Sequence, residues 1–208
     1  MPRTSYNKSV FINCPFDAPY RPFFRATIFA IIRCDFYVRC AMEVDDSSEN
    51  RLTKIFRIIG ECRLGIHDLS RTQLDKVTRL PRFNMPLELG IFLAAKFYGK
   101  DEQDRKSCLI FERQPHSYEK FISDIKGQDI ATHQNNPQEV IIRIRNWLAG
   151  NAGRHSLPGG HAVWRDYTAF NRWLLPACRK KQLQHQDLTF DDFINLVYEW
   201  IESCSAKL

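Results

Sequence analysis

Glu88 is the residue of this sequence best placed for chemistry, because it lies near the start of a long apolar segment. That segment runs from Leu80 to Tyr98 and reads LPRFNMPLELGIFLAAKFY. It predicts a buried helix whose start is fixed by Pro86 in its first turn, so that Glu88 lies two residues into the helix. An acid at a buried helix start can complement the helix dipole and cap backbone amides. It can also serve as a nucleophile or general acid/base at the mouth of a pocket. The segment alone leaves both interpretations open.

Short apolar runs alternate with helical patterns over most of the chain. Strands are predicted at Ser9 to Asn13, Tyr37 to Met42, Leu64 to Asp68, Ser107 to Glu112 and Asp129 to Thr132. Helices are predicted at Tyr20 to Cys34, Arg51 to Cys62, the Glu88 segment and Pro137 to Leu148. Parallel neighbours need crossover connections, and these are normally helical. The predicted fold class is therefore α/β, with a parallel sheet of about five strands flanked by helices.

A glycine-rich segment, GNAGRHSLPGG at 150–160, predicts a linker between an α/β domain at 1–149 and a helical appendage at 161–208. The appendage shows two helical patterns, at 162–175 and 189–203, and the second opens with a capping box of Thr189 and Asp192. It is rich in Trp, Tyr and Phe. So small a unit cannot bury all these rings, so we expect it to pack on the first domain or on another chain.

Polar side chains gather where the predicted strands end, which is where open parallel sheets bind ligands. The candidate site residues at this edge, besides Glu88, are Asn13, Phe16, Asp17, Asp68, Arg71, Arg82, Phe83 and Asn84. Several have a structural alternative. Asp68 can cap the next turn together with Ser70, and Asn13 and Asp17 can make turn hydrogen bonds beside Pro15.

The remaining candidates at this edge also have two interpretations. Arg71 and Arg82 can bind a phosphate, or they can pair with nearby acids and remain solvated. Phe83 can stack on a base or belong to the core. His67 stands next to Asp68 within a strand, and as a lone histidine we interpret it as structural.

Composition excludes several classes of protein. No apolar run reaches the roughly 18 residues that span a bilayer, and the first residues lack the apolar core of a signal peptide, so we expect no membrane and a cytoplasmic protein. The seven cysteines never form a CxxC pair, which argues against a zinc site, and no metal is expected. No GxGxxG motif follows the first strand, and no GxxxxGK[ST] motif occurs. The net charge of +6 permits a nucleic-acid partner without requiring one.

Two short elements carry a family resemblance. An FxNxPFD segment (Phe11 to Asp17) and an ELG motif (Glu88 to Gly90), with Asp68 closing the third strand between them, resemble the nucleoside 2-deoxyribosyltransferase-like families. Those families are related in structure to Toll/interleukin-1 receptor (TIR) domains. With IHDLSR and LPRFNMPLELG, the sequence also looks like an uncharacterised bacterial group suspected of belonging to that superfamily. The resemblance covers about Val10 to Leu148 and implies a flavodoxin/TIR-like sheet.

The resemblance also implies an activity. It assigns to Glu88 the attack on the anomeric carbon of a nucleoside, or support for cleaving the nicotinamide bond of NAD. Asp68 would bind ribose or assist proton transfer, Asn13 and Asp17 would contact the base or sugar, and Arg71 or Arg82 a phosphate. The expected protein is an N-glycosidase or transferase, a homo-oligomer with no cofactor beyond its NAD or nucleotide substrate, and a possible effector of bacterial defence against phage. In the bulky Arg82 to Met85 loop the sequence departs from those transferases, which argues against ordinary nucleosides and favours a larger or different nucleotide.

The alternative function is a non-catalytic module. The same crevice would sense a nucleotide, Glu88 would be structural, and the aromatic C-terminal helices would bind a protein partner.

Overall fold

A computed structural model describes residues 5–43, 46–71, 82–153 and 155–205. The structure contains a five-stranded, all-parallel sheet in the order β2-β1-β3-β4-β5. The strands are β1 (Ser9–Asn13), β2 (Tyr37–Cys40), β3 (Leu64–Asp68), β4 (Ser107–Glu112) and β5 (Ala131–Thr132). The predicted α/β class is confirmed, including the sheet of five parallel strands.

The helices follow the strands in alternation, as the sequence predicts. They are α1 (Arg21–Arg33), α2 (Arg51–Gly60), α3 (Asn84–Tyr98), α4 (Pro137–Asn151), α5 (Gly160–Lys180) and α6 (Phe190–Ser205). The sequence between Tyr118 and Ile130 also predicts a short helix, but this segment forms two 3-10 turns, Tyr118–Lys120 and Ser123–Ile125.

The strand order places β1 and β3 side by side, with β2 and β4 on their outer flanks. Connections leaving two such neighbours run toward opposite ends of the sheet, and open parallel sheets bind ligands beyond the carboxyl ends of strands at such a point. Both strands are buried along their whole length, which explains their apolar sequences. The ligand-binding edge that the sequence predicts, where the strands end, therefore contains the switch point between β1 and β3.

Helices α2 and α3 pack beside each other and against strands of the sheet. One core cluster joins Phe11 of β1 to Ile58 of α2 and Phe92 of α3. A second joins Leu69 and Ile110 to Met85 and Leu89 near the start of α3. Because α3 is fixed by both clusters, its first turns are held beside the ends of β1 and β3.

Contacts divide the chain into two compact units, Met1–Phe24 with Tyr37–Asn136, and Arg25–Phe36 with Pro137–Leu208. In the second unit, the ring of Phe29 lies 5.3 Å from those of Tyr167 and Phe170 and 5.7 Å from that of Trp200. Helix α4 groups with α5 and α6 in this unit, whereas the sequence predicts a boundary after residue 149. Within the predicted linker, the carbonyls of Leu157 and Pro158 accept hydrogen bonds from Arg145 at 2.8 and 2.5 Å.

The capping box predicted for α6 is formed. The Thr189 hydroxyl and amide donate to Asp192 Oδ2 at 2.7 and 3.1 Å, and the Asp192 amide donates to Thr189 Oγ1 at 3.1 Å. We expect Thr189→Ala to lower the free energy of unfolding by about 1 kcal/mol, because the Asp192 amide at the helix start loses its acceptor. Urea denaturation measures this. Thr168→Ala is the matched control, since Thr168 Oγ1 only donates to the Trp164 carbonyl inside α5, and an equal loss in both variants would contradict the prediction.

All seven cysteines are free thiols. Cys14, Cys34, Cys40, Cys62 and Cys178 are buried, Cys108 is half-buried and Cys204 is exposed. Burial raises the pKa of the thiols of Cys14, Cys34, Cys40, Cys62, Cys108 and Cys178. Within the described ranges, no helix is both long enough and apolar enough to cross a bilayer.

Candidate functional site

Helix α3 begins earlier than its sequence suggests. Its first recorded helical hydrogen bond runs from the Leu87 amide to the Phe83 carbonyl at 2.9 Å, and no acid lies in the first turn. Pro86 falls in that turn, as predicted, where its missing N–H costs nothing. Glu88 therefore lies one turn further in, and its own amide already faces a helical carbonyl. Of the two interpretations of Glu88, capping of the helix start is wrong.

The carboxyl group of Glu88 is largely withdrawn from water. The residue is 7% exposed, and burial raises its pKa from the ordinary 4.5 to about 7, although the charge of Arg51 opposes that rise. The charge of Glu88 in turn adds to the raised pKa values of Cys14 and Cys40. These cysteines stand at the ends of β1 and β2, so the carboxyl group lies at the carboxyl edge of the sheet. Among the described residues it has no recorded hydrogen bond or ion pair.

Asn13 and His67 meet across the switch point. They are register partners on β1 and β3, and Asn13 Nδ2 lies 3.0 Å from His67 Nδ1. The same Asn13 nitrogen donates to the Met85 carbonyl at 2.8 Å. An amide nitrogen can only donate, so His67 Nδ1 is the acceptor and the ring proton is on Nε2. Asn13 thus ties β3 to the first turn of α3, one turn before Glu88.

The surroundings of His67 favour its structural interpretation. Burial lowers the pKa of this fully buried ring to about 3, so it is neutral at physiological pH. Its Nε2 has no hydrogen-bond partner among the described residues. The Phe92 ring lies 5.0 Å away in an edge arrangement, which suits a weak N–H to π contact. A buried neutral imidazole of this kind is not poised as a base.

Asp68 is buried in a hydrogen-bond network. Its Oδ1 accepts from the Ser70 amide at 2.8 Å, in agreement with its capping interpretation, and its Oδ2 accepts from the Tyr20 hydroxyl. His133 Nε2 lies 3.2 Å from the same Oδ2 and 2.7 Å from Ser70 Oγ. The network joins the ends of β3 and β5 to the segment that follows β1.

This network contains Ser, His and Asp side chains but does not form a catalytic triad. His133 Nδ1 accepts a hydrogen bond from the Asn135 amide at 3.1 Å, so the ring proton is on Nε2. The nitrogen that faces Ser70 is therefore a donor and cannot take the serine proton. The Asp68 carboxylate also faces Nε2, whereas the acid of a catalytic triad accepts a hydrogen bond from Nδ1. The group fixes the geometry of the edge instead of activating a nucleophile.

Sequence reasoning missed Tyr20 and His133. Tyr20 is three residues after Asp17, whose Oδ1 accepts from the Tyr20 amide at 3.1 Å, and this spacing is typical of a capped turn. His133 directly follows β5, the strand with the weakest sequence signal. A rule that selects every polar residue at a strand end would have found His133.

Asp17 holds both of the predicted phosphate-binding arginines. Its Oδ2 lies 3.0 Å from Arg82 Nη1, and its Oδ1 lies 3.5 Å from Arg71 Nη2. This is the pairing with an acid that the sequence left as an alternative. The side chains of Arg71 and Arg82 remain 40% and 47% exposed. Pairing with Asp17 therefore leaves both guanidinium groups open to solvent.

The other predicted contact residues lie at the surface. Phe83 is 66% exposed, which excludes the core interpretation, and Asn84 beside it is also exposed. Phe16 is 38% exposed, and its ring makes an edge contact with that of Phe24 at 5.2 Å. The structure thus places Glu88, Asn13 and Asp68 in the interior of the edge, Asp17 in a half-buried position, and the remaining candidates on the surface.

No group of three or more His, Cys, Asp or Glu side chains in the described ranges is placed to hold a metal ion. Comparison of the chain with family models, with curated proteins and with solved structures finds no match. The fold and the geometry of this edge therefore carry the functional argument.

Proposed function

We propose that this protein cleaves or transfers the N-glycosidic bond of a nucleotide or of NAD, with Glu88 as the reacting carboxylate. The observation that carries the proposal is the buried carboxyl group of Glu88, which has a pKa raised to about 7 and lies beside the strand ends of a parallel sheet. Perturbed acids at such edges are typical of functional sites. The resemblance of the ELG motif to deoxyribosyltransferases supports the same assignment.

The chemistry requires the ionised form of Glu88. When the bond between sugar and base breaks, the base leaves with the bonding electrons and the anomeric carbon becomes cationic, as in glycoside hydrolysis. A desolvated carboxylate nearby stabilises that cation or forms an ester with it. Water then releases the sugar, or a second base takes it in a transfer reaction. In this scheme Asp68 and Asn13 are positioning residues, because their hydrogen bonds hold the strand ends and the start of α3.

A panel of substrates tests the proposal. Purified protein is incubated with NAD, NADP and several nucleosides and nucleotides, and released base is measured by chromatography. Release should increase with pH through about 7, because Glu88 loses its proton there. Glu139→Gln, at an exposed acid of α4, is the control that should leave the rate unchanged. Release that persists in Glu88→Gln would overturn the assignment.

The alternative is a nucleotide sensor without catalysis. It is favoured by one observation: among the polar side chains of the edge, Asn13, Asp68 and His133 are engaged in internal hydrogen bonds. Such an edge can bind a ligand without reacting with it. The sensor predicts that nucleotide binding survives Glu88→Gln and that no base is released from any substrate. In either case, assembly as a homo-oligomer, contact with a protein partner through α5 and α6, and a role in bacterial defence remain proposals that rest on the sequence.

A further inference from the structure

We infer that one face of α5 binds the phosphate backbone of a nucleic acid through a row of three exposed arginines. Arg165, Arg172 and Arg179 form this arginine row. The row belongs to the second compact unit, whereas the sheet edge of the proposed function belongs to the first, so the inference does not rest on that function. The net charge of +6 permits such a partner, and the row gives it a place on the surface.

The three arginines follow one another along α5 at equal intervals in the sequence. Each is seven residues from the next, which is close to two turns of an α-helix, so the three side chains leave the helix on one face. At 1.5 Å per residue, the row is about 21 Å long, with about 10.5 Å between neighbours. All three residues are exposed. Their charges therefore form a line on the surface of the protein.

No recorded ion pair in the described part of this unit compensates the charge of the row. The side chains of the three arginines also have no recorded hydrogen bond to a described residue. Asp166 is the acid of α5, and it pairs with Arg33 at 2.8 Å. The residues of the unit outside the described ranges are Arg154 and 206–208, and none of them has an acidic side chain. The row thus keeps its positive charge within its own unit.

The neighbouring helix α6 carries acids, but most of them already have a role within the chain. Glu199 lies 3.0 Å from Lys181, and Asp192 accepts the hydrogen bonds of the capping box. Asp191 stands in the first turn of α6, where a negative charge is favourable beside the positive end of the helix dipole. The acids of a second copy are therefore a poor counterpart for the arginine row, and a separate polyanion is a better one.

Guanidinium groups in a line suit the phosphates of a nucleic acid. Arginine is always charged, and its planar fork of N–H donors matches phosphate oxygens in pairs. A nucleic acid presents a phosphate at every nucleotide, so a row of cations can contact several of them along the backbone. The negative end of the α5 dipole explains a cation at Arg179 in the last turn, but Arg165 and Arg172 lie further inside the helix.

The opposite face of α5 argues against a lipid surface as the partner. Val163, Phe170 and Leu174 are fully buried on that face. A helix that lies in a membrane interface inserts its apolar face among the lipids. Because α5 uses its apolar face for the core of the unit, only the charged face is available to a partner.

Fluorescence anisotropy of the full chain with a labelled DNA duplex tests the inference. Two duplexes of unrelated sequence and about 20 base pairs should bind equally, with a slope of log affinity against log salt of about −2.7, as expected for three phosphate contacts. Arg165→Gln, Arg172→Gln and Arg179→Gln should each reduce the magnitude of this slope by about one and weaken both duplexes alike. The triple variant should bind at least about 100-fold more weakly at low salt, because three charge-assisted contacts are lost. Arg143→Gln, at an exposed arginine paired with Glu139, is the control and should leave the affinity unchanged.

Several results would overturn the inference. They are absence of duplex binding, duplex binding that persists in the triple variant, and arginine-dependent self-association or binding to anionic phospholipid vesicles in place of DNA binding. An excess of AMP should not displace the duplex, and displacement would place the DNA at the sheet edge instead of the arginine row. The urea midpoint of the triple variant should match that of the wild type, since the replaced side chains have no recorded partner. Base release is not measured, so this inference and the proposed function can fail separately.

Discussion

Glu88→Gln should abolish base release and at the same time stabilise the protein at alkaline pH. Loss of the carboxylate should lower the rate at least about 100-fold, because an amide can neither trap nor offset a cationic sugar. The gain in stability arises because the wild-type chain must hold a charge at a site that disfavours it. Few substitutions of buried polar residues are expected to stabilise a protein, so the combination is diagnostic.

The pH dependence of that gain follows from the raised pKa. Below pH 4.5 Glu88 is protonated in both the folded and the unfolded chain, and its ionisation costs nothing. Between pH 4.5 and about 7 the unfolded chain loses the proton while the folded chain keeps it, so wild-type stability falls as pH rises. Above pH 7 the full cost is present, about 3 kcal/mol from the shift in pKa. The advantage of Glu88→Gln should therefore grow from pH 4 to pH 8.5.

Urea denaturation at several pH values measures this difference. The control is Glu112→Gln, at a second buried glutamate of the same sheet edge. Glu112 accepts hydrogen bonds from the amides of His116, Ser117 and Tyr118 and from the Ser117 hydroxyl. Replacement of Glu112 by glutamine should destabilise the protein by about 1–3 kcal/mol at neutral pH, because the side-chain NH2 group of the glutamine then faces N–H or O–H donors. A pH-independent effect of Glu88→Gln would contradict our account of Glu88.

Asp68→Ala should cause the largest loss of stability at this edge, about 3–5 kcal/mol, because several buried donors lose their acceptor at once and each costs about 1–3 kcal/mol. The substitution leaves the Tyr20 hydroxyl, the Ser70 amide and the His133 ring without their shared acceptor in a buried site. Asp166→Ala, which removes a partly exposed ion pair with Arg33, is the control and should cost less than about 1 kcal/mol. Thermal and urea unfolding measure both variants.

Asp68→Asn refines the test, because an amide of the same shape keeps one acceptor oxygen. It should be less destabilising than Asp68→Ala. If the free energy of unfolding of Asp68→Ala were within 1 kcal/mol of the wild-type value, the network would not hold the edge together. Asp68 would then be available for the chemistry that the family resemblance assigns to it.

The strands predicted most accurately are those whose short apolar runs are bounded by polar turns. The bounds of β1, β3 and β4 match the prediction, because short apolar runs between polar turns fit few alternatives. The start of α3 was predicted two residues late, since the bond that begins the helix is accepted by the backbone carbonyl of Phe83, and no side chain marks it. Backbone caps of this kind leave no trace in the sequence.

The contacts within the site could not be predicted, because they depend on the strand order. Asn13 meets His67 only because β1 and β3 are neighbours, and His133 reaches Asp68 from β5 across the end of β4. The sequence selected the edge correctly but gave no pairing within it. Pairing of Arg71 and Arg82 with nearby acids was one of the predicted alternatives. The sequence did not predict that both arginines would share the carboxylate of Asp17.

The distribution of thiols has a practical consequence for these measurements. Six of the seven cysteines are shielded and have raised pKa values, so the thiolate that reacts with maleimides is scarce at those positions. Cys204 alone is exposed, near the end of α6. A fluorescent dye should therefore attach at one position of the wild-type chain, which provides an optical reporter for nucleotide titrations without any engineered residue.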